Sequence, residues 1–427
     1  MEKTKRREEK LIKTILNRCY KFKSFVYGKV CFSSDIKSKI IQIEIKPRKN
    51  NLPICSKCHK PSPIYDKSKK PRHFEFIPIW GYAIFFIYIM RRVNCKSCGI
   101  KTEDVPWAKG KCELTKVYMQ YLATLAKCLS WKEVAIRFKT SWEKVFNSVE
   151  YIVEWGLKHR STEGITAIGV DEVQWKKGHK YLTLVYQINN NCVRLLWIGQ
   201  KRTEESFSHF FKSLGSSKCN LIEYVCSDMW KPYLNVIKKK IPQAIHILDR
   251  FHIVMRLNKA LDAVRADEHK QLKRDGYEPI LTKSRWTLLK KPKNLKKEQK
   301  IKLKELLKYN LKSMRAYLLK EEFQKLWIYN STIWASKFLD AWTKKVMLSK
   351  IDPMKKEALT IRRHKGLILN WFIAKKQFSS GIVEGLNTKV KLTTRKSYGF
   401  KQFKSIEVAL YHSLGKLPEP PITHRFY

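Results

Sequence analysis

The sequence predicts a multidomain α/β protein in which a mixed sheet carries helices on its faces and is interrupted by an all-α insertion. Three observations predict this class. Apolar residues change from helical to alternating spacing near residue 165, and the β-rich runs that follow alternate with helical runs. From residue 253 onwards, a long basic stretch keeps helical spacing without any β signal. A chain of 427 residues suits about two to four domains.

Charge is the strongest signal in the composition. The chain has 88 Lys and Arg residues against 37 Asp and Glu residues, a formal net charge of +51. Such an excess suits phosphate neutralisation with counterion release, so it predicts a polyanionic partner and strongly salt-dependent binding. A lysine-biased composition or a ribosomal-type protein is the alternative explanation. The basic residues do not gather on one amphipathic helix, which disfavours a membrane-surface role.

The location of the protein is predicted from what the chain does not show. Residues 1–10 alternate in charge and have no apolar core, so we expect no secretory signal and an intracellular protein. The most apolar run, residues 76–90, is shorter than the roughly 20 residues of a membrane span and contains Pro78 and Gly81. We therefore predict a strand or hairpin there, and no transmembrane segment.

The N-terminal part divides into an arm and a zinc-binding segment. Residues 1–48, the predicted arm, contain a possible short helix but no recognisable chemistry. Residues 49–110 contain two Cys-x-x-Cys pairs. Eleven cysteines in an intracellular chain point to metal binding rather than disulfides. Tetrahedral zinc takes two such pairs, which predicts a zinc-ribbon-like segment with structural Zn²⁺. The four predicted ligands are Cys55, Cys58, Cys95 and Cys98.

The zinc assignment leaves two alternatives open. The stretch between the two pairs is longer than is usual for such sites, although a hairpin between the knuckles would accommodate it. The four cysteines could instead be buried core residues, and His59 or His73 could substitute for one thiolate.

Residues 111–160 are predicted to form a helical DNA-binding domain. Two capping boxes, Ser130-Trp-Lys-Glu133 and Thr140-Ser-Trp-Glu143, begin two helices separated by a short turn. In a basic chain this spacing favours a helix-turn-helix whose second helix enters a major groove. An ordinary helical hairpin is the alternative. The residues predicted to contact DNA on the second helix are Ser141, Lys144 and Asn147.

Residues 161–252 are predicted to form the first part of a catalytic core. Three β-rich runs are followed by alternating helices and strands, in the order β-β-β-α-β-α-β. This is the order of a ribonuclease H-like mixed sheet. Residues 253–375 form the predicted helical insertion, and residues 376–427 the second part of the core.

Three acidic residues are placed so that they could form one site. Asp171 lies near the end of the first core strand and Asp228 just past the fourth, so neighbouring strands would bring both to one sheet edge. Glu384 begins a helix whose same face carries Lys391 and Arg395, two predicted DNA-binding cations. Three carboxylates can hold two Mg²⁺ or Mn²⁺ ions about 4 Å apart. Singly, each acid could also be a helix cap or a favourable charge at a helix start.

Several motifs in one order resemble transposases of bacterial insertion sequences. In that family a zinc-binding segment and a helix-turn-helix precede an insertion-bearing domain with a DDE triad of acids. The matching motifs are the two cysteine pairs, Gly169-Val-Asp-Glu172, Ser227-Asp-Met-Trp230, Asp249-Arg-Phe-His252 and Val383-Glu-Gly-Leu-Asn387 running to Phe400.

The resemblance implies metal-dependent cleavage and joining of DNA, with Asp171, Asp228 and Glu384 as catalytic and metal-binding acids. It implies double-stranded DNA partners, namely the inverted repeats at the ends of the element and the target DNA. A homodimer or a larger synaptic complex, in a bacterial cytoplasm and near the nucleoid, is also implied. Related enzymes carry a Cys-or-Asp-x-x-His element, which Asp249 and His252 match as supporting residues; a helix cap is their alternative role.

Two other functions are compatible with the same sequence motifs. One is a DNA-binding regulator that keeps the zinc and helical modules but lacks nuclease activity. The other is a structure-specific nuclease of the same fold. All three acids are present, which argues against the regulator.

Overall fold

The computed structural model describes residues 2–33, 39–79, 81–277, 280–377 and 381–421, with the side chains of residues 6 onwards. Contacts divide the chain into two compact units. The first comprises Met1–Ser161 with Thr393–Tyr427, and the second comprises Thr162–Leu392.

The first unit contains two small sheets and a group of helices. Its elements are α1 (Glu2–Cys19), β1 (Phe25–Phe32), β2 (Ile40–Pro47), β3 (Ile54–Cys55), β4 (Ile64–Lys67), β5 (Arg72–Ile79), β6 (Tyr82–Tyr88), β7 (Arg91–Cys95), β8 (Gly99–Asp104), α2 (Lys116–Ala126), α3 (Trp131–Arg137) and α4 (Trp142–His159), with α16 (Phe403–Leu414) from the C-terminal part.

The second unit contains a five-stranded sheet and a long helical segment. Its elements are β9 (Ala167–Lys176), β10 (Lys180–Asn189), β11 (Cys192–Gly199), α5 (Glu204–Leu214), α6 (Ser216–Cys219), β12 (Tyr224–Ser227), α7 (Lys231–Lys240), β13 (Ile245–Leu248), α8 (Arg250–Arg274), α9 (Arg285–Leu289), α10 (Lys297–Leu306), α11 (Lys312–Gln324), α12 (Thr332–Leu348), α13 (Asp352–Arg363), α14 (Lys365–Ile373) and α15 (Gly381–Lys396), with 3₁₀ turns at Pro292–Asn294 and Lys325–Ile328.

The N-terminal sheet has the order β1-β2-β6-β5. Its core is aromatic, because Phe74, Phe86 and Trp107 are fully buried together with Ile43. β5 and β6 form the hairpin predicted within residues 76–90. β2 pairs with β6 in parallel, so residues before position 48 share a sheet with residues of the predicted zinc segment. The predicted boundary at residue 48 therefore separates strands that fold together.

The second sheet, β3-β8-β7-β4, carries the two cysteine turns. A buried ion pair connects β7 with β8, where Arg91 Nη2 lies 2.7 Å from Glu103 Oε2. The Tyr88 hydroxyl donates to the other carboxylate oxygen of Glu103 at 2.7 Å. With both oxygens bound, the buried charge is paired and hydrogen-bonded, as such groups must be.

The helical group of the first unit contains both predicted helices, one of which begins later than expected. The capping box of Ser130 and Glu133 is present at α3. The predicted cap at Thr140 is wrong, because Ser141 is the residue before α4 and its hydroxyl accepts from the Lys144 amide at 3.2 Å. The side chains of Thr140 and Ser141 can both cap a helix, and the turn after α3 places Ser141 in the cap position. α16 packs against α4 in the same unit.

The five-stranded sheet has the order β11-β10-β9-β12-β13. β9, β10 and β11 are antiparallel neighbours, whereas β12 is parallel to both β9 and β13. The elements follow the predicted order, with the short helix α6 added. Phe207, Phe210 and Phe211 of α5 pack against the sheet, since aromatic side chains at this spacing share one helical face.

The segment after β13 is helical throughout its described residues, from α8 to α14. Trp327, Trp334 and Trp342 recur at seven and eight residues, a spacing that predicts a shared buried helical face. Trp327 and Trp342 are buried, but Trp334 is exposed, so the prediction is wrong for that residue. Among the described helices, none combines the length and the apolar character needed to cross a bilayer.

Candidate active site and zinc centre

Asp171 and Asp228 lie at one edge of the five-stranded sheet. In the parallel pairing of β9 with β12, Gly169 is opposite Cys226. Each aspartate follows its paired residue by two positions, so the two carboxyl groups are neighbours beyond the last paired residues. The sheet order therefore brings together the first two predicted acids.

The pKa values of both aspartates are shifted upward. Burial raises the pKa of Asp171 to about 6, and the negative charges of Asp228 and Asp249 add to the shift while the charge on His252 opposes it. Burial also raises the pKa of Asp228, against the amide of Trp230 and the charges of His252 and Arg202. Buried like charges repel one another, so a bound cation would stabilise this edge. Carboxylate oxygens are the donors that Mg²⁺ and Mn²⁺ prefer, and the residues present fit such an ion.

Helix α15 lies against β9 through the hydrogen-bonded side chain of Asn387, which is not among the predicted site residues. The Asn387 amide donates to Asp171 Oδ2 at 2.5 Å. Its carbonyl oxygen accepts from the buried Tyr186 hydroxyl at 2.8 Å. Close approach is possible because residue 169 is glycine, where an added Cβ would lie 2.5 Å from Val383 Cγ2.

Glu384 lies on the same helix, one turn before Asn387, and its side chain is exposed. It lines a cavity of about 440 Å³ together with Asp249 and Arg250. In the described parts of the chain, only the cysteines bring three or more ligand atoms within 4.8 Å of one another. The three acids therefore share one region without closing into a compact cluster.

Asp249 caps the long helix α8. Its carboxylate accepts from the Phe251 amide at 2.7 Å, and its other oxygen lies 3.7 Å from His252 Nε2. The cap named as the alternative role is thus present. The two residues also influence the acids electrostatically, since both act on the pKa of Asp171.

A further acid and a cation complete this edge of the sheet. Glu172 forms an ion pair with Arg202. Arg202 Nη2 also lies 4.0 Å from Asp228 Oδ2, and its guanidinium is 4.0 Å from the centre of the Trp230 ring. Burial raises the pKa of Glu172 to about 7. No sequence pattern indicates this pair, because only the fold brings residue 202 next to residues 172 and 228.

The four predicted zinc ligands converge in the first unit. Their sulfur atoms all lie within 4.8 Å of one another, and Cys58 Sγ is 3.4 Å from Cys95 Sγ. Four sulfurs about 2.3 Å from a tetrahedral Zn²⁺ would be separated by about 3.8 Å, so the group fits zinc. The Ser62 hydroxyl is the main factor that lowers the pKa of the Cys95 thiol, to about 6. Neither His59 nor His73 belongs to the cluster.

The predicted DNA-binding residues have different surroundings. Ser141 and Asn147 are exposed on α4. Lys144 is ion-paired within the protein, with its amine 3.1 Å from Glu113 and 3.9 Å from Glu75. Lys391 and Arg395 are exposed on α15. Their DNA contacts remain predictions.

Similar sequences among known proteins provide independent support for the resemblance to transposases of insertion sequences. The sequence profile of the ISL3-type DDE family, described as "Transposase", matches residues 168–410. The transposase for insertion sequence element IS1001 of Bordetella parapertussis is 29% identical over 335 residues, covering 77% of this chain and 81% of that protein. The transposase for insertion sequence element IS1557 of Mycobacterium tuberculosis (strain CDC 1551 / Oshkosh) is 26% identical over 407 residues, covering 89% and 90%.

The profile match begins on the strand that carries Asp171 and ends within α16, so it includes both aspartates and the helix with Glu384. Because it spans more than half of the residues, it shows that the chain belongs to the ISL3 family of DDE transposases of insertion sequences.

Proposed function

We propose that this transposase binds the terminal inverted repeats of an insertion sequence and performs metal-dependent strand cleavage and strand transfer. Family membership implies DNA binding and a divalent metal. The observation that carries the proposal is the pairing of Asp171 and Asp228 at one sheet edge, beside the helix that holds Glu384. In the proposal, the sheet is a ribonuclease H-like core with a helical insertion.

The chemistry would be divided between the acids and their supports. Bound Mg²⁺ or Mn²⁺, as a pair of ions, would activate a water or 3′-hydroxyl and stabilise the leaving oxygen of an in-line displacement. Asp171, Asp228 and Glu384 would hold that pair. Asn387 orients the Asp171 carboxyl group through its hydrogen bond. Asp249 and His252 would support the edge without contacting the reacting phosphate.

Recognition of the ends would come from the first unit. The four cysteines would hold structural Zn²⁺ in a zinc-ribbon-like fold, and α3 with α4 would form the helix-turn-helix. A dimer or larger synaptic complex would follow from the need to join two ends.

An in vitro reaction tests the proposal. Full-length protein, Mg²⁺ and a DNA with the element's ends are expected to give nicked and joined products. Asp228→Ala should abolish both while DNA binding persists, because the carboxylate holds metal rather than DNA. Asp267→Ala, at an exposed position on α8, is the matched control and should react normally.

Three outcomes would contradict the proposal in different ways. Binding without metal-dependent nicking by the wild type would identify a DNA-binding regulator. Nicking without joining would identify a nuclease of the same fold. Equal affinity for the ends and for unrelated DNA would remove the proposed recognition of inverted repeats.

A further inference from the structure

We propose that the cavity beside Glu384 binds one phosphodiester group of a DNA strand through Arg250, with the attached base against Phe251. The proposal rests on the proposed function, because it assigns a place in the catalytic unit to the strand that is cut. It concerns two residues of α8 to which no role in the reaction has been assigned above.

Arg250 is held by aromatic rings, and the adjacent carboxylate of Asp249 acts on it only through its charge. Its guanidinium carbon lies 5.1 Å from the ring centre of Trp327 and 5.2 Å from that of Trp371. Within the described part of the chain it forms no hydrogen bond or ion pair. Arg256, less than two turns later on α8, is instead held by Glu357 at 2.7 Å. Two buried indoles therefore fix a guanidinium whose five donors are unused.

A phosphate is the ligand that this arrangement suits. A planar guanidinium can donate two parallel hydrogen bonds to a phosphate, and stacking on aromatic rings orients it for that purpose. The cavity of about 440 Å³ is lined by Arg250 and also by Lys291 and Lys376. Three cations against two carboxylates in the lining favour a ligand of negative charge.

The position of the cavity selects the class of ligand. Glu384 and Asp249 also line it, so its ligand would lie next to the acids that are proposed to cut DNA. A phosphodiester of the cut strand is an anion that must come close to these carboxylates. Its charge would be balanced by the three cations that line the same cavity.

Phe251 provides the surface for a base. Its side chain is 51% exposed although it lines the cavity and is directly adjacent to Arg250. Trp371, which also lines the cavity, is 7% exposed and already contacts the guanidinium. An exposed aromatic ring beside a phosphate site is the arrangement by which proteins hold unpaired nucleotides through stacking.

A cycle of substitutions in protein and DNA tests the phosphate contact. Affinity is measured with the full chain in Ca²⁺, on end DNA that carries one neutral methylphosphonate at each position around the cut. We expect one position where the methylphosphonate weakens wild-type binding about tenfold and weakens binding of Arg250→Ala hardly at all. Arg315→Ala, at an exposed arginine of α11, should keep the full wild-type penalty.

The base contact is tested with an abasic nucleotide attached to the sensitive phosphate. The abasic site should weaken wild-type binding severalfold and leave Phe251→Ala unaffected, whereas Phe251→Trp should restore sensitivity. If the penalties in Arg250→Ala equal those of the wild type at every position, the phosphate site is overturned. If Phe251→Ala remains sensitive to the abasic site, the base contact is overturned.

Failure of the proposed function would be recognised separately. Cleavage of unmodified ends by the wild type in Mg²⁺ tests that function. If the wild type does not cleave but Arg250 is still coupled to one phosphate, the proposed function fails. The cavity is then still supported as a DNA-binding site. Cleavage by the wild type without coupling between Arg250 and any phosphate would support the proposed function and contradict the phosphate site in the cavity.

Discussion

Asn387 is the residue that joins helix α15 to strands β9 and β10 in the candidate site. Its amide binds Asp171, a residue 216 positions earlier in the chain, and its carbonyl accepts from Tyr186. The neighbouring turn of the same helix carries Glu384. The orientation of the Asp171 carboxyl group therefore depends on one buried amide, which lies one turn from Glu384.

Removal of the Asn387 amide should impair metal-dependent cleavage more than it impairs DNA binding. We expect Asn387→Ala to lower the single-turnover cleavage rate about 10- to 100-fold and to raise the Mg²⁺ concentration needed for half-maximal rate. Asn235→Ala, which removes a surface hydrogen bond to Glu204, is the control and should change neither quantity. An unchanged Mg²⁺ requirement in Asn387→Ala would contradict the positioning role.

His246, which is buried, and His412, which is half-buried, predict that the protein loses stability in mild acid. Burial lowers the pKa of His246 and of His412 to about 4, below the usual value of 6.5. The unfolded chain therefore binds protons first, and the free energy of unfolding should fall as pH drops from 6.5 towards 4. The loss should be on the order of 1–3 kcal/mol for each histidine.

Thermal or denaturant unfolding between pH 7 and pH 5 measures this loss. The double variant His246→Leu, His412→Leu should show a shallower dependence than the wild type, because fewer buried groups take up protons on unfolding. An equal slope for both proteins would exclude these histidines as the cause.

At the scale of elements, the residue before α4 has one observed role and one predicted role. Ser141 was predicted to contact DNA, and the structure makes it the N-cap of α4. Aspartate caps a helix about as well as serine, so Ser141→Asp should leave stability within about 0.5 kcal/mol. If the start of α4 meets phosphates, the new carboxylate should weaken DNA binding about tenfold.

The control places the same charge at another cap. Thr203 caps α5 in the second unit, so Thr203→Asp adds a carboxylate to a cap outside the predicted recognition helix. It should retain both stability and DNA affinity. Equal DNA affinities of Ser141→Asp and Thr203→Asp would contradict the predicted contact between α4 and DNA.

The two cysteine turns belong to one sheet, and a zinc ion would join their four sulfur atoms. Cys95→Ser removes one of four ligands, so bound zinc should fall from one per chain to a small fraction and thermal stability should fall with it. Cys128→Ser, at an exposed cysteine outside the cluster, should keep the wild-type zinc content. Unchanged zinc in Cys95→Ser would refute the site.

At the scale of the whole molecule, we expect the net charge of +51 to govern association with DNA. If the exposed cations neutralise about 6–10 phosphates, affinity should fall roughly 10³- to 10⁵-fold between 50 and 200 mM salt. Measurement of the dissociation constant at several salt concentrations gives the slope. A slope near zero would mean that the excess charge is a compositional bias without a role in binding.

The sequence predicted features that depend on local order and missed those that depend on distant pairing. Asp171 and Asp228 could be found because each follows a β-rich run, and a parallel pair of strands brings their ends together. Asn387 was visible as part of a motif, but its partners are about 200 residues earlier. The cap of α4 was misplaced by one residue because Thr140 and Ser141 have similar capping chemistry.

Larger arrangements were harder to predict for the same reason. The pairing of β2 with β6 connects the N-terminal residues to a hairpin about 40 positions later, and nothing in either segment specifies the partner. The Glu172–Arg202 ion pair likewise depends on how a loop returns to the sheet. The boundaries proposed for the domains remain predictions.

The packing of α16 on α4 has a consequence for how the protein is made. Gln120 of α2 binds Glu419, a residue 299 positions later, so the first unit cannot be completed until the last described residues leave the ribosome. Translation of the roughly 230 intervening residues of the second unit takes on the order of 10–50 s. In a nascent chain the second unit is therefore ready to fold before the first unit is complete.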